Sequence, residues 1–293
     1  MTRLERLHDA HLAVDGYINV AITEIKKNIG SLAILFGLAY VAAPFFAIAP
    51  FFEDFVNFAE AISVFGDRTT PPDPEEMIAV LEPLLDTITL PASIVFVVLS
   101  ITFTWLGLAT AVVIERSVRG KPINALQALG TTVLKVLVAI LVGFITTIMF
   151  ALGFLLISAV FIIPSALFDM PWLSLLAVIG AIAFTIYLNV FLTFTNYAIS
   201  LRDRSVDAIS YSFSLVRGQW GKTCGKISLL ILIGFGINVL ANVGLGIIEL
   251  ITAPFLPIMS PVLSLVTLFI AYAWTIIYTI MFLHFDYVRN PVV

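Results

Sequence analysis

Long apolar stretches alternate with short polar segments along this chain, and the alternation predicts its fold. Six stretches contain about 20 or more residues with almost no charge, enough for a helix to cross a hydrocarbon core of about 30 Å. These predicted spans cover residues 30–52, 90–114, 133–163, 172–201, 227–251 and 262–285. The pattern favours an all-α, polytopic membrane helical bundle with six transmembrane helices, folded as a single integral membrane domain over residues 1–293.

Composition supports lipid as the main solvent. Hydrophobic residues make up 60% of the chain and charged residues 12%, against about 45–50% and about 25% in ordinary soluble domains. The formal net charge of −4 argues against nucleic acid as a partner. Cys224 is the only cysteine, which leaves no intrachain disulfide and no Cys-based metal site. No cofactor is expected.

The basic residues indicate how the chain is oriented. With the N-terminus inside, every Lys and Arg except Arg68 falls on the same side of the membrane as the N-terminus. Short cytoplasmic loops carry an excess of Lys and Arg, so both termini are expected in the cytoplasm, in a multi-pass protein of the cell membrane. The asymmetry also favours an even number of spans, because a missed or extra span would disperse it.

Three segments that precede spans one, three and five share a similar apolar spacing. Apolar residues three or four positions apart predict a short amphipathic helix, and with a basic flank such a helix lies in the headgroup plane. The first segment belongs to a cytoplasmic amphipathic region over residues 1–29. We call these segments elbow helices, and their apolar residues are Ile18, Ile22, Ile25 and Ile29 in the first, Ile123, Leu126, Leu129 and Val133 in the second, and Val206, Ile209, Phe213 and Val216 in the third.

The elbow helices suggest an internal repeat. Asn19, Asn124 and Asp207 each directly follow the first apolar residue of their segment. The chain is therefore expected to contain a threefold internal repeat of two-helix units, each with an elbow, an outward span, an external loop and a returning span. Such duplication is common in transport proteins, but it also occurs wherever two-helix units can pack against siblings.

One external segment is long enough to form structure of its own. Residues 53–89 form a predicted extracytoplasmic loop that is strongly acidic, with Arg68 as its only basic residue. A proline-rich stretch, 71–74, divides it into two predicted helical pieces, 53–65 and 74–88. We expect this loop to cap the outer end of the bundle.

The chain lacks the sequence patterns that common enzyme chemistry needs. It contains no nucleotide-binding glycine loop, no His-Glu-x-x-His motif, no nucleophile elbow and no paired intramembrane carboxylates. His8 and His11 lie three residues apart near the N-terminus, but two imidazoles without a third ligand make a weak metal site. We therefore expect a non-enzymatic protein with no catalytic residue and no bound metal.

A few polar residues lie within the predicted spans and form a possible intramembrane site. Asn189 and Asn196 are seven residues apart in span four, and Asn238 and Asn242 are four apart in span five. Each pair would share one helical face, and hydrogen bonding between helices is favoured over a solute pathway because no acid or base accompanies the amides. Glu249, near the outer end of span five, is equally compatible with a structural and a functional role.

Clusters of basic residues flank spans three and five and could hold anionic lipid headgroups. Arginine binds phosphate through two parallel hydrogen bonds, and each cation near an anionic leaflet contributes about 1 kcal/mol. The alternative is that these residues only set the topology. The candidates are Arg116, Arg119 and Lys121 near span three, with Arg202, Arg204, Arg217, Lys222 and Lys226 near span five.

Two stretches resemble a known family. Residues 207–220, which read Asp-Ala-Ile-Ser-Tyr-Ser-Phe-Ser-Leu-Val-Arg-Gly-Gln-Trp, resemble the elbow of multi-pass proteins related to the membrane domain of glycerophosphoryl diester phosphodiesterases. Residues 285–289, Phe-Asp-Tyr-Val-Arg, are similar to the aromatic-aromatic-Asp-Leu-Arg ending of the same proteins, although Tyr287 and Val288 depart from that order.

The resemblance implies a six-span bundle with elbows at the membrane surface. In that family the phosphodiesterase chemistry belongs to a separate soluble domain, which residues 1–293 do not contain, so no activity and no catalytic residue are carried over. Asp207, Trp220, Asp286 and Arg289 are carried over only as motif positions.

Two classes of function remain. The first is a non-enzymatic membrane protein that binds membrane lipids or a membrane protein partner, favoured by the elbows and the basic clusters. The second is a small-solute transporter or channel, favoured by the predicted repeat and the amide faces of spans four and five.

The predicted topology can be tested with single cysteines in a Cys224→Ala background. Because basic residues remain on the cytoplasmic side, an impermeant thiol reagent added outside intact cells should not label Arg119→Cys, Arg204→Cys or Arg289→Cys. Arg68→Cys, in the predicted external loop, should react and serves as the control. Labelling of any of the first three positions from outside would contradict the topology.

Overall fold

A computed structural model describes Leu7 and residues 12–66, 74–251 and 256–289. Helices contain nearly all of these residues, and none of them lies in a strand. In chain order the α-helices are α1 (Val14–Lys27), α2 (Ile29–Gly37), α3 (Ala43–Ile48), α4 (Phe52–Gly66), α5 (Pro74–Val118), α6 (Ala125–Ile157), α7 (Ile163–Phe168), α8 (Pro171–Leu192), α9 (Thr195–Arg202), α10 (Ala208–Val216), α11 (Trp220–Ile251) and α12 (Leu256–Arg289).

Six helical segments in the described part of the chain are long and apolar enough to cross a membrane. Each overlaps one of the predicted spans, so the all-α, six-span membrane fold is confirmed. Spans one to six are Ile29–Glu60, Thr87–Val118, Ala125–Phe168, Pro171–Arg202, Trp220–Ile237 and Leu265–Arg289.

Spans one and three each contain a widened turn in front of a proline. Leu38–Ala42 and Ser158–Ile162 are π-helical, and each ends two residues before a proline, Pro44 or Pro164. Ala43 donates its N–H to Leu38 O, one residue further back than in an α-helix, and Ile163 donates to Ser158 O in the same way. Because a proline ring clashes with the carbonyl of the preceding turn, a local π turn lets these helices continue with little interruption.

The predicted elbow segments differ in structure. The first is a separate helix, α1, which ends where the Asn28 amide donates to Glu24 O at 2.9 Å. The third is also separate, since α10 ends at Val216 and Gly218 adopts a φ of 83°.

The second predicted elbow is not a separate helix. Asn124 and Gln127 form a capping box that starts α6, which then runs without a break to Ile157. No proline occurs between Asn124 and Ile157 to end the helix early. The apolar spacing before span three therefore belongs to the first turns of that span.

In the second and third segments, small residues share the buried faces with the predicted Leu129 and Val216, while other predicted apolar residues are exposed. In α6, Ala125 and Ala128 are buried while Leu126 is 73% exposed. In and beside α10, Ala208 is buried while Val206 is 49% exposed. Small residues let helix backbones approach closely in a membrane, and large apolar side chains can face lipid without cost.

The segments rich in Lys and Arg meet at one end of the bundle, which we call the basic end. Lys27 Nζ in α1 donates to Ser117 O near the end of α5 at 3.2 Å. Lys226 Nζ in α11 donates to the Tyr17 hydroxyl in α1 at 2.8 Å. The basic end thus comprises α1, α10, the ends of α5, α9 and α12, and the starts of α6 and α11.

The segment predicted as an acidic external loop is helical on both sides of its proline-rich stretch. Helix α4 begins at Phe52, and α5 begins at Pro74 and continues directly into span two. The two helices pack against each other. Residues 67–73 lie outside the described part of the chain.

Spans three and four pack closely where Gly153 faces Phe184. A Cβ on Gly153 would lie 2.0 Å from Phe184 Cζ, and Phe150 and Phe154 flank the same ring. We expect Gly153→Ala to destabilise the protein by about 1–3 kcal/mol through overpacking, measured by thermal unfolding in detergent.

Gly143→Ala on the same helix is the matched control for Gly153→Ala. A Cβ at Gly143 meets nothing within 4 Å, so alanine should be neutral or stabilising by up to about 1 kcal/mol. Equal unfolding temperatures for the two variants would contradict the close packing of Gly153 on Phe184.

Candidate functional site

Arg202 joins three spans at the basic end. It is the last residue of α9, and its Nη1 donates to Glu115 Oε1 of α5 at 2.6 Å. Its Nε donates to Asp286 Oδ2 of α12 at 2.7 Å, and its Nη2 binds the same oxygen. One guanidinium therefore connects spans two, four and six.

Further polar groups complete this network. Arg119 Nη2 lies 2.8 Å from Glu115 Oε1, and Arg119 Nε donates to the Tyr287 hydroxyl at 3.2 Å. The Tyr211 hydroxyl of α10 donates to Asp286 Oδ1. The side chains of Glu115 and Asp286 are only 9% and 2% exposed. Two arginines thus balance two buried carboxylates, which is the condition under which burying charge is tolerated.

The pKa values of Tyr211 and Asp207, both at the basic end, are shifted in opposite directions by their surroundings. Burial, with the hydrogen bond to Asp286, raises the pKa of Tyr211 to about 12, so its hydroxyl stays protonated and donates at neutral pH. Asp207 is exposed, and its hydrogen bond from Arg204 at 2.8 Å lowers the pKa of its carboxyl.

The sequence does not predict this network, although three of its residues, Tyr211, Asp286 and Tyr287, lie in the two stretches that carry the family resemblance. Tyr211 belongs to the first stretch and Asp286 to the second, and a hydrogen bond joins them. The available signal was Asp286 itself, a carboxylate next to a long apolar run, which requires a partner. The partner's position, 84 residues earlier in the chain, could not be read from any spacing.

A second buried cluster attaches α1 to span two. Glu24 is fully buried and accepts a hydrogen bond from Ser117 Oγ. Asn28 Nδ2 donates to Ser117 Oγ at 2.8 Å. These contacts fix the first elbow helix against the end of α5.

Span four is interrupted close to the basic end. Helix α8 ends at Leu192 and α9 begins at Thr195. Ser212 of α10 serves both sides of the break, because its hydroxyl donates to Phe191 O and accepts from the Phe194 N–H at 3.3 Å. An interrupted helix is tolerated inside a membrane when a side-chain hydroxyl forms hydrogen bonds with the backbone groups that the break leaves without partners.

Next to this break, α5, α6 and α9 line two open cavities that we call together the inner cleft. The upper cavity has a volume of about 420 Å³ and lies beside Ser100, Thr104, Gly143 and Asn196. The lower cavity, of about 440 Å³, lies at the basic end. Its polar lining residues are Glu115, Arg116, Gln127, Thr131, Lys135, Ser200 and Asp203.

Thr195 is unusual among the residues of the inner cleft. It lines the upper cavity and is 4% exposed. Its Oγ1 is buried and has no hydrogen-bond partner among the described residues. Buried hydroxyls are normally hydrogen-bonded, so this one calls for an explanation.

The break in span four separates two of the asparagines that were expected to share a face. Asn196 lines the inner cleft, whereas Asn189 lines a different cavity of about 710 Å³ between spans four, five and six. The expectation of a common face assumed a continuous helix, which the break removes. Asn238, Asn242 and Glu249 lie in α11, but their side chains fall outside the part of the chain that the structure describes.

The eight candidate headgroup residues divide into two groups. Arg119, Arg202, Arg204 and Lys226 are engaged within the protein, Lys226 through the Tyr17 hydroxyl. The side chains of the other four are exposed and form no ion pair or hydrogen bond with the residues that the structure describes. They are Arg116, Lys121, Arg217 and Lys222.

Comparisons with protein-family models, with curated proteins and with solved structures found no match to this chain.

The buried network predicts that Asp286 matters far more for stability than Asp207, although each carboxylate pairs with an arginine. Asp286→Asn removes the buried counter-ion of the partly buried Arg202 guanidinium, and we expect it to cost about 3–5 kcal/mol, with a matching fall in unfolding temperature in detergent. Asp207→Asn is the matched control and should change little, because its pair with Arg204 is exposed. A similar effect of the two substitutions would contradict a structural role for the network.

Proposed function

We propose that this integral membrane protein is non-enzymatic and binds anionic lipid headgroups at the inner surface of the cell membrane, with both termini in the cytoplasm. The observation that carries the proposal is the set of four exposed cations at the basic end without partners among the described residues. They flank the connection between α5 and α6 and the connection between α10 and α11.

The physical basis is the attraction between these cations and an anionic leaflet. Each Lys or Arg near such a surface contributes about 1 kcal/mol, and the arginines can each hold a phosphate by two hydrogen bonds. Arg116 and Arg217 can form such paired hydrogen bonds, whereas Lys121 and Lys222 contribute through their charge. Arg119, Arg202, Arg204 and Lys226 are left out of the proposed headgroup set, because their side chains already have partners within the protein.

Exposed apolar residues beside the cations add to this support. Leu126, close to Lys121, and Val206, on the segment before α10, are both largely exposed. A basic flank next to exposed apolar side chains is the arrangement by which interfacial helices bind membranes. We therefore retain α1 and α10 as proposed elbow helices at the inner surface.

We also propose that the chain is related to the membrane domain of glycerophosphoryl diester phosphodiesterases. The hydrogen bond from Tyr211 to Asp286 supports this, since it joins the two stretches that resemble that family. Because Tyr211 and Asp286 bind each other, the two stretches that contain them would be expected to occur together in related proteins.

Small-solute transport is the alternative function, and the break in span four favours it. Interrupted helices often form substrate sites near the middle of membrane transporters. The amide of Asn196 lies beside the break and lines the inner cleft. A membrane protein partner is a further alternative to lipid at the basic end.

Lipid binding is tested by neutralising the four exposed cations together, with Arg116→Gln, Lys121→Gln, Arg217→Gln and Lys222→Gln. The purified variant is compared with the wild type by mass spectrometry of the lipids that co-purify. At about 1 kcal/mol for each cation, we expect the ratio of anionic to zwitterionic lipid to fall at least about tenfold.

The matched control is the double variant Arg204→Gln, Asp207→Asn, which removes an exposed ion pair at the same end without changing the net charge. It should keep the wild-type lipid ratio. Cysteine labelling must show the same topology in every variant. An unchanged lipid ratio in the four-cation variant with intact topology would reject headgroup binding and leave orientation as the role of these charges.

A further inference from the structure

We propose that the inner cleft holds a single phospholipid of the inner leaflet, with its phosphate in the lower cavity and one acyl chain in the upper cavity. This inference rests on the proposed function in taking lipid as the ligand class. It adds a built site within the bundle to the surface attraction, and it assigns the site to α5, α6 and α9.

The two cavities lie on the same faces of the same helices. On α6, Thr131 and Lys135 line the lower cavity, and Ala139 and Gly143 continue the same four-residue step into the upper one. Residues four apart lie on one helical face, so this stripe runs along the helix from the basic end into the membrane. The proposed lipid would lie along this stripe and pass Lys135 to occupy both cavities.

The polarity of the cleft follows the order of groups in a phospholipid. Arg116 lines its lower end and has no described partner, which makes it available for a phosphate. Lys135 lies between the two cavities, where its Nζ donates to Ser200 O at 2.6 Å. Further in, the lining becomes apolar around Phe96 and Ile140, as an acyl chain requires.

The carboxylates in the lower cavity already have cationic partners. Glu115 is paired with Arg119 and Arg202, and Asp203 is paired with Lys135. Arg116 is therefore the charge that remains uncompensated among the described lining residues, and it favours an anionic group.

Between the charged and apolar ends lie polar groups that suit the ester region of a lipid. The Thr195 hydroxyl is buried in the upper cavity without a described partner, and the Asn196 amide lines the same cavity. Ester carbonyls accept hydrogen bonds from hydroxyl and amide donors. The Asn196 amide, which is exposed beside the upper cavity, is thus a donor for an ester carbonyl, which a hydrocarbon chain alone would leave without a partner.

A lipid fits the cleft better than a polar solute. A solute pathway needs polar groups that continue toward the outer side, as the interrupted helices of transporters provide. The outermost lining residues are Phe96, Val97 and Thr146, and the Thr146 hydroxyl already donates to Gly143 O of its own helix at 2.8 Å. The outer end of the upper cavity is therefore mainly apolar, with Phe96 and Val97 both exposed.

The test fills the upper cavity from a position that tolerates a side chain. Gly143 lines this cavity, and a Cβ there meets nothing within 4 Å. Gly143→Leu would occupy the space proposed for the acyl chain. Gly130→Leu is the matched control on the same helix, because Gly130 also has open space but lines neither cavity of the inner cleft.

Native mass spectrometry in detergent measures phospholipid bound to each purified variant. We expect the wild type and Gly130→Leu to retain one phospholipid and Gly143→Leu to retain at least about tenfold less. Arg116→Gln should weaken retention while leaving the fold intact, since Arg116 has no described partner. Full retention by Gly143→Leu would overturn the proposal.

The outcomes separate this site from surface binding. If Gly143→Leu keeps its lipid while the four-cation variant loses its preference for anionic lipid, headgroup binding at the surface stands and the cleft site is rejected. If Gly143→Leu loses the lipid and a variant with only Lys121→Gln, Arg217→Gln and Lys222→Gln keeps its preference, the cleft site stands and the surface proposal is rejected. Displacement of the lipid by millimolar glycerol phosphate would show a phosphate site without a chain site and would overturn the proposal.

A second measurement distinguishes lipid from a water-filled pathway. Asn196→Cys in the Cys224→Ala background places a thiol in the inner cleft. With a lipid in place, a charged methanethiosulfonate reagent should react with it far more slowly than with Arg217→Cys, which is exposed at the basic end. Equal rates would show that the cleft is filled with water, which would favour transport and overturn lipid binding.

Discussion

The pairing of one partly buried arginine with two buried carboxylates holds the basic end of this bundle together. Arg202 connects Glu115 of span two with Asp286 of span six, and Tyr211 brings α10 to the same carboxylate. Lipid supplies no hydrophobic force to hold helices together, so such polar contacts and close packing must do so. Charges this well buried are tolerated only with matched partners, which makes their arrangement specific.

The position of α10 in turn makes the break in span four possible. Ser212 lies one residue after Tyr211, so the contact that fixes Tyr211 on Asp286 also places Ser212 against the freed backbone groups of Phe191 and Phe194. Without that hydroxyl, an N–H and a carbonyl would be left without partners in a buried environment, at a cost of about 1–3 kcal/mol for each group. The break then directs Thr195 and Asn196 into the inner cleft. The ionic network therefore positions the candidate site although it does not line most of it.

The spans could be predicted from the sequence because crossing lipid requires a long apolar helix, and length and hydropathy can be read along one dimension. The break in span four, the inward faces of the elbow helices and the pairing of Arg202 could not be predicted from the sequence. Thr193 and Phe194 give no warning of a break, since neither is proline or glycine. The apolar spacing of the elbows predicted residues that face lipid or the bundle, but it could not tell which of the two each residue would face, as Leu126 faces outward while Ala128 packs inward. The sequence predicts a lipid headgroup as the partner of Arg202. Its partner in the structure is Asp286, which lies in another span, and such a pairing leaves no pattern along the chain.

The predicted threefold repeat offers a reason for the location of the candidate site. Spans one and three share a π turn two residues before a proline, which supports the repeat, while the corresponding region near Pro254 lies outside the described residues. The predicted middle unit differs from the other two in two ways, because its predicted elbow is continuous with α6 and its returning span is broken near Phe194. Spans two and six, the returning spans of the other units, lie in unbroken helices. A repeat would bury its polar groups in the same way in each copy, so a departure in one copy would leave groups without the partners that symmetry supplies. Thr195 lies beside the break in span four, where the predicted middle unit differs from the other two.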